Sequence, residues 1–294
     1  MKKKYRTKTV LTAWIFILPF FVLFTIFVIY PIIQGVWVSL NDWSLMGRTG
    51  FVGVANYGKM FRDKNFWAAF RNTCIFVVFS VPFIVLLGLA MALLANRKVR
   101  MRKFLRIAYY VPGVLSVSVA SFVAKYSFAP YRGLVNGILK SMGLMSTSNE
   151  ILWFEDTKLA WCAIVLMTVW WTVGFPMLLY LSALQDISPD VLEAAKVDGA
   201  GSAQCLFQIT LPLIKNTIFL VILLEVMASF KVFGQIYNIT KGGPANTTRP
   251  LVMYVYQQAF DKNKLGYAAS ISYFLFAIIV ICTVIQLKLQ KEGD

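Results

Sequence analysis

Glu225 is the one acidic residue in a mostly apolar stretch of 25 residues, 213–237. Ser229 follows one helical turn later and shares its face of a helix. The neighbouring pair Trp170 and Trp171 is expected at a similar depth in another apolar stretch. Carboxylates hydrogen-bond sugar hydroxyls, and indole rings pack on the flat C–H faces of sugars. These four residues are therefore candidates for the path of a carbohydrate.

Each of these residues also has other interpretations. Glu225 can be protonated and hydrogen-bond a neighbouring helix, and tryptophans in membrane helices most often pack against other helices. Glu225 could instead be the proton or ion site of a secondary transporter. Lys231 lies about 240° around the helix from Glu225, so we expect it, like Lys125, to extend toward the membrane surface.

The composition indicates a membrane protein that crosses the bilayer several times. Of 294 residues, 59% are hydrophobic and only 14% are charged, and the mean hydropathy is +0.68. Runs such as 77–94 are apolar on every side of a helix. Six stretches have the roughly 20 residues that a helix needs to cross the bilayer core: about 11–33, 70–95, 107–128, 159–182, 213–237 and 267–287. We predict an all-α membrane protein with six transmembrane helices.

The distribution of Lys and Arg predicts the orientation. With the N-terminus inside, the inner segments carry 15 of these residues in 61 positions, and the outer segments carry 11 in 88. Most of the bias comes from residues 1–10 and 96–106. Because basic loops stay on the cytoplasmic side, both termini are predicted to be cytoplasmic. The first helix is too long for a signal peptide, and no cleavage site follows it, so we expect it to be retained.

The third inner segment, 183–215, differs from the others because it is acidic on a side that is otherwise basic. Ser188 can cap a helix, and Pro189 suits its first turn. Asp198 and Gly199 suit its end, since glycine readily takes the left-handed conformation. This pattern predicts a helix through VLEAAKV, although an ordinary capped loop would carry the same signals.

A second short helix is predicted from Ser202 to Ile209, with Pro212 at the entry to the next span. Glu193 and Lys196 share one face of the first helix, and Ala194 and Ala195 form a low surface that another protein's backbone could approach closely. The two short helices would form a hairpin that fits into a cleft.

The spacing of this hairpin resembles a known signature. Glu193-Ala194-Ala195, three residues, Gly199, nine residues, Ile209, one residue and Leu211-Pro212 match the EAA motif of the permease subunits of binding-protein-dependent ABC importers. Two further stretches extend the resemblance along the chain.

Those two stretches narrow the resemblance to carbohydrate-importer permeases. Residues 51–73, FVGVANYGKMFRDKNFWAAFRNT, are similar to an FVGLxNY segment, with Val54 where leucine is common. Residues 237–260, YNITKGGPANTTRPLVMYVYQQAF, resemble a GGP segment, with Lys241 where a further glycine is frequent. The second departure, Lys241 in place of glycine, could affect the conformation of a turn.

The resemblance implies that the EAA loop couples the chain to a cytoplasmic ATPase. Glu193 would meet a basic group there, and Gly199 would permit the bend between the two helices. Asp198 and the motif residues Leu211 and Pro212 would belong to the same joint. No phosphate-binding loop of the form G-x-x-x-x-G-K-[ST] occurs in the chain, so ATP and Mg²⁺ are expected on two separate ATPase subunits. The chain itself is expected to bind no cofactor and to be no enzyme.

The resemblance also implies the other partners and the domain organisation. A second homologous permease subunit, most simply a different chain, and an extracellular solute-binding protein would complete an importer in a bacterial or archaeal cytoplasmic membrane. The chain divides into a first helix with its outer loop at 1–69, a core at 70–288 that contains the EAA loop, and a cytoplasmic tail at 289–294.

Several other classes fit the residues poorly. The net charge of +16 comes with basic residues beside apolar spans and without a base-reading motif, so no nucleic acid partner is expected. Four isolated cysteines and the lack of any histidine indicate neither a disulfide framework nor a metal site. A secondary transporter is the main alternative, but no internal repeat is evident and it has no need of an EAA loop. A membrane-embedded enzyme lacks paired carboxylates and a nucleophile motif.

Overall fold

The computed structural model describes residues 2–96 and 102–292. Part of the basic segment 96–106 and the last two residues of the tail therefore lie outside the described residues, as does Met1. The described chain is mostly helical, in agreement with the predicted class.

Three helices are long and apolar enough to span a membrane: Thr12–Ser39, Lys64–Asn96 and Leu265–Lys291. The first combines α1 (Lys2–Phe24), a π-helical turn (π1, Thr25–Ile29) and α2 (Tyr30–Ser39). The second is α4 (Lys64–Asn96), and the third lies within α16 (Leu265–Glu292). These helices correspond to the first, second and sixth predicted spans, and each extends beyond its predicted bounds.

Three further spans, predicted as single helices, are bent pairs. Lys103–Val114 and Val117–Ser127 meet at 101°, Thr157–Thr172 and Gly174–Gln185 at 44°, and Ser202–Leu213 and Lys215–Phe230 at 67°. Counted with the three long helices, they bring the number of possible spans to six. The predicted spans 107–128 and 159–182 each contain a bend, whereas the bend of the third pair falls at Ile214, at the start of the predicted span 213–237.

Local sequence explains the sharpest of these bends. In α5 (Arg102–Val114), Pro112 lies near the end of the helix, where it supplies no backbone N–H. Ser116 then caps α6 (Val117–Ser127) by accepting from the Val119 N–H at 3.3 Å. A cap ends one helix and starts another, so the chain changes direction here.

The remaining helices comprise the other parts of the bent pairs and shorter connecting helices. They are α3 (Ala55–Arg62), α7 (Leu134–Ser141), α8 (Thr157–Thr172), α9 (Gly174–Gln185), α10 (Pro189–Val197), α11 (Ser202–Gln204), π2 (Cys205–Thr210), α12 (Leu211–Leu213), α13 (Lys215–Phe230), α14 (Gly234–Ile239), α15 (Leu251–Tyr256) and π3 (Gln257–Asp261).

The chain forms two compact units. The first contains Met1–Asp63 and Val255–Phe274, and the second contains Lys64–Tyr254 and Leu275–Asp294. The first unit holds an antiparallel hairpin of β1 (Asn41–Ser44) and β2 (Gly47–Phe51). This hairpin is a departure from the predicted all-α fold, and Gly47 permits its turn with φ of +117°.

The core of the second unit lies among α4, α9 and α13. Val81 and Val85 of α4, Met177 and Tyr180 of α9 and Val221 of α13 are buried together. The helices α4 and α9 approach closely at Gly88, where an added Cβ would lie 3.0 Å from the Cβ of Pro176. Glycine at this position therefore allows the contact.

A polar cluster holds the segment between α6 and α8. The Glu150 carboxylate accepts hydrogen bonds from the Tyr131 N–H at 2.9 Å, from the Asn136 side chain at 2.9 Å and from Lys140, with which it also forms an ion pair. The Asn136 oxygen accepts from the indole N–H of Trp153 at 2.8 Å. The hydrogen bond from Lys140 is the main reason that the pKa of Glu150 lies below its ordinary value.

Candidate coupling hairpin and intramembrane site

The first helix of the predicted hairpin, α10, begins where its sequence signals indicated. The Ser188 hydroxyl accepts from the Asp190 N–H at 3.3 Å, and Pro189 is the first helical residue. Asp190 lies in the first turn, where its charge favours the positive end of the helix dipole. The predicted N-terminal cap is confirmed.

The end of α10 is a glycine-terminated Schellman motif. Asp198 is the C-cap, and Gly199 follows with a left-handed φ of +82°. The Gly199 N–H donates to the Lys196 carbonyl at 3.1 Å, and the Ala200 N–H donates to the Ala195 carbonyl at 2.9 Å. The bend predicted at Gly199 is confirmed, and these bonds make it a defined turn.

The second half of the hairpin begins at Ser202, as predicted, but its end differs from the prediction. Gly201 is the N-cap, and its N–H donates to Gln204 Oε1 at 2.8 Å. The helix does not end at Ile209 but continues through the π-helical turn and α12 to Leu213. The break falls at Ile214, which is 2% exposed, so Pro212 lies before the bend.

The faces of the hairpin decide which residues another protein can contact. Glu193 and Ala194 are exposed, as predicted for a docking surface. Ala195 is only 8% exposed, so it packs within this chain and the prediction that it belongs to the docking surface was wrong. The reason is that α10 packs against the following π-helical turn, which covers one side of the helix.

Apolar residues that the sequence analysis did not select extend this surface. Val191 and Val197 are spaced three residues on either side of Ala194, and Val197 is 87% exposed. Phe207 is 65% exposed on the neighbouring turn. Their helical spacing was visible in the sequence, but only the folded hairpin identifies their side as the uncovered one.

Glu225 and Ser229 lie on one buried face of α13. Glu225 is 8% exposed and Ser229 is 5% exposed. The hydroxyl oxygens of Ser229 and Ser80 lie 3.3 Å apart, so this face is directed toward α4. The prediction that the two residues share a face is confirmed, and Glu225 is enclosed by protein.

The helix that carries Glu225 is shorter than predicted. It ends at Phe230, and Lys231 is its exposed C-cap. Glu225 lies ten residues beyond Lys215, which is about 15 Å along the helix. Lys125 is exposed as well, so both lysines have side chains that can reach a surface.

The two tryptophans interact with residues other than Glu225 or are exposed. The Trp171 indole N–H donates to the Leu115 carbonyl at 3.0 Å, and its ring packs on a cluster that contains Ala120 and Met167. Trp170 is 42% exposed on the side of the helix. Among the hydrogen bonds and ring contacts of the described residues, none joins either indole to Glu225. The geometry of Trp171 matches the packing interpretation.

The GGP segment is anchored firmly to α4. The Asn72 amide donates to the Arg249 carbonyl at 3.0 Å, and the Leu251 N–H donates to the Thr73 hydroxyl at 2.8 Å. Lys241 adopts a positive φ of 50°, a conformation that favours glycine. The departure from the motif at Lys241 thus does bear on a turn, as its position suggested. Val54, the other departure, is exposed.

The comparisons with known proteins agree with these elements. The chain is 32% identical over 286 residues to a sulfoquinovosyl glycerol transport system permease protein of Agrobacterium fabrum, covering 97% of this chain and 92% of that one. It is 31% identical over 284 residues to a lactose transport system permease protein of Rhizobium radiobacter, covering 95% and 94%. A trehalose/maltose transport system permease protein of Thermococcus litoralis is 31% identical, covering 99% and 96%.

Solved structures share the fold. A chain of a bacterial ABC transporter involved in the import of the acidic polysaccharide alginate superimposes with a TM-score of 0.84 at 21% identity, covering 99% of both chains. The same kind of transporter, solved with a periplasmic protein carrying an alginate pentasaccharide, gives a TM-score of 0.81 at 22% identity, covering 97% of this chain and 95% of that one.

The long and bent apolar helices form the fold of an ABC transporter permease. Residues 2–291 match the binding-protein-dependent transport system inner membrane component family, and the chain belongs to that family. The resemblance seen in the EAA motif is thereby confirmed.

Proposed function

We propose that the chain is the membrane-spanning subunit of an ATP-driven carbohydrate importer and that the hairpin 188–213 couples it to a separate ATPase. The observation that carries the coupling proposal is the hairpin itself. Its helix is capped at Ser188 and closed at Gly199, and it presents Glu193 and Ala194 outward. A stiff, capped element transmits a displacement, whereas a frayed loop would absorb it.

The partner surface follows from the exposed residues. Glu193 offers a negative charge, and the apolar side chains of Val197 and Phe207 need to be covered. A groove on an ATPase with a basic group opposite Glu193 and an apolar floor would satisfy both requirements. Asp198 and Gly199 set the angle between the halves, and Leu211 and Pro212 continue the helix toward α13.

The substrate class rests on the relatives. Relatives named for sulfoquinovosyl glycerol, lactose and trehalose or maltose transport each align with more than nine-tenths of this chain. Within the chain, Glu225 and Ser229 are the polar groups that we assign to the substrate path. Trp170, which is partly exposed, can offer a ring to a sugar, while Trp171 is assigned to it less directly because its N–H is already bonded.

The assembly and orientation complete the proposal. We place both termini in the cytoplasm of a bacterial or archaeal cell. The six spans are the three long helices, the two bent pairs α5–α6 and α8–α9, and α13, while Ser202–Leu213 belongs to the hairpin. Two ATPase subunits would bind ATP and Mg²⁺, a second homologous permease subunit would complete the path, and a solute-binding protein would deliver the sugar from outside.

Purification of the intact complex in mild detergent tests this proposal. We expect an ATPase, a second permease and a solute-binding protein to accompany the chain, and the sugar carried by the binding protein to identify the substrate. Uptake in cells should stop when ATP is depleted. Uptake that survives ATP depletion but collapses with the proton gradient would instead favour a secondary transporter that uses Glu225 as its ion site.

A further inference from the structure

Tyr180 buries a hydroxyl that has no hydrogen-bond partner among the described residues. The side chain is 0% exposed and is one of the largest fully buried groups of the chain. A phenylalanine ring would fill the same space without burying that hydroxyl. The hydroxyl therefore adds a burial cost in this conformation and no bond that offsets it.

Glu225 is the residue that we consider as the hydrogen-bond acceptor of the Tyr180 hydroxyl. Tyr180 packs in one core cluster with Val221, which lies one turn before Glu225 on α13, and Ile222 and Val226 pack against the same cluster. Glu225 lies one helical turn after Val221 and so on the same face of α13. The unpartnered hydroxyl and the carboxylate therefore belong to two helices whose buried side chains pack in one core cluster.

The coupling hairpin directly connects the helix that carries Tyr180 to the helix that carries Glu225. Tyr180 lies on α9, and Glu225 lies on α13. Residues 186–214, which join α9 to α13, contain the whole coupling hairpin. Any displacement of the hairpin therefore acts first on the two helices that carry Tyr180 and Glu225.

We propose that Tyr180 is a positioning residue whose hydroxyl donates a hydrogen bond to the Glu225 carboxylate in the other conformation of the transport cycle. The hydroxyl is unpartnered in the described conformation, and a shift of α13 against α9 forms the bond. The bond fixes the direction of the carboxylate when the hairpin has moved. This inference rests on the proposed function, because it assigns Glu225 to the substrate path.

The test uses the complete importer with Tyr180→Phe, Glu225→Gln and the double variant. Uptake of radiolabelled maltose, trehalose and lactose is measured as KM and maximal rate, with the complex quantified in the membrane. Thermal unfolding midpoints are measured for the nucleotide-free importer and for the importer trapped with ATP and vanadate. Tyr109→Phe is the matched control, because Tyr109 packs against the same core cluster.

We expect Tyr180→Phe to alter the KM or the maximal rate several-fold without lowering the midpoint of the nucleotide-free importer. The midpoint difference between the two states should change by about 1–2 °C. The effects of the two changes should not multiply, because Tyr180→Phe removes the donor of the same hydrogen bond whose charged acceptor Glu225→Gln replaces with a neutral one. Tyr109→Phe should behave as the unmodified chain.

Five outcomes separate this inference from the proposed function. Uptake by the unmodified importer that survives ATP depletion contradicts the proposed function, whereas normal uptake by Glu225→Gln removes Glu225 from the substrate path and overturns this inference alone. If Glu225→Gln lowers uptake but Tyr180→Phe does not, the positioning role alone is overturned. It is overturned equally if the two effects multiply, or if Tyr109→Phe reproduces the effect of Tyr180→Phe.

Discussion

The hydroxyl oxygens of Ser80 and Ser229 lie 3.3 Å apart and join α4 to α13 one turn beyond Glu225. Both serines are buried, at 0% and 5% exposure. This contact gives the Glu225 face of α13 a definite neighbour. The carboxylate is consequently held in a protein-lined environment, where its interactions are stronger than they would be in water.

Replacement of Glu225 by glutamine tests its place in the substrate path. The variant should assemble and hydrolyse ATP at the basal rate, but its uptake should fall about tenfold or more, because a hydrogen bond to a charged group contributes roughly 1.5–3 kcal/mol. Uptake is measured over several sugar concentrations. Glu155→Gln, at an exposed carboxylate, is the control. Unchanged uptake at every concentration would remove Glu225 from the path.

A reversal of charge at Glu193 tests the coupling surface. Glu193→Lys should weaken association with the ATPase or separate ATP hydrolysis from transport, because a cation would face the proposed basic group. Co-purified ATPase, ATP hydrolysis and uptake are measured on the same preparations. Glu155→Lys makes the same charge change at another exposed position. Normal transport by Glu193→Lys would rule out this role for Glu193.

The turn at Gly199 offers a matched pair of glycine substitutions. Gly199→Ala should destabilise the hairpin by about 1 kcal/mol, since φ of +82° is unfavourable for a side chain. Gly201→Ala should have little effect, because its φ is −69° and an added Cβ would meet only Gln204 Oε1 at 3.7 Å. Limited proteolysis of the hairpin and ATP-dependent uptake report the difference. Equal behaviour of the two variants would contradict the turn assignment.

The left-handed conformation of Lys241 predicts a stabilising substitution. Lys241→Gly should increase stability by about 0.5–1 kcal/mol, because glycine adopts φ of 50° without the steric cost of a Cβ. Lys262→Gly is the control, since φ of −105° gives glycine no such advantage. Thermal unfolding midpoints of the complete importer are compared. A lower midpoint for Lys241→Gly would show that its side chain matters more than its backbone.

The hydrogen bonds of Glu150 predict that the stability of the segment around it, which lies between the spans, depends on pH. Because the pKa of Glu150 is lowered in the folded chain, chiefly by the Lys140 hydrogen bond, the carboxylate contributes stability that is fully present above its unfolded pKa of about 4.3. That contribution is lost as the pH falls through the lowered folded value. We therefore expect the segment 129–156 to become more sensitive to an acid-stable protease below about pH 4. In Glu150→Gln this additional sensitivity to the protease should be reduced. If the sensitivity persists in the variant, groups other than Glu150 cause it.

Local chemistry explains why parts of the site were predictable. A cap needs only Ser188 and the next few residues, and the turn needs only Gly199 and its neighbours, so both are encoded within one short segment. The shared face of Glu225 and Ser229 follows from helix geometry alone. The EAA spacing likewise lies within 20 residues, and it led to the correct family.

Other features depended on residues far apart in the chain. The burial of Ala195 results from the fold of the hairpin, and the use of the Trp171 N–H depends on Leu115, 56 residues away. The bend at Ile214 was not predicted either, since hydropathy measures apolar length but not direction. None of these contacts leaves a periodic signal in its own segment.

The sequence by itself determined the membrane class, the apolar lengths, the capped hairpin and the family, because composition, helical period and capping act over a few neighbouring residues. Only the tertiary structure decided where the three helix pairs bend, which side of α10 stays uncovered and which buried side chains of α9 and α13 pack in one cluster. Those features arise from packing between distant segments, where shape and the satisfaction of buried polar groups outweigh local preference.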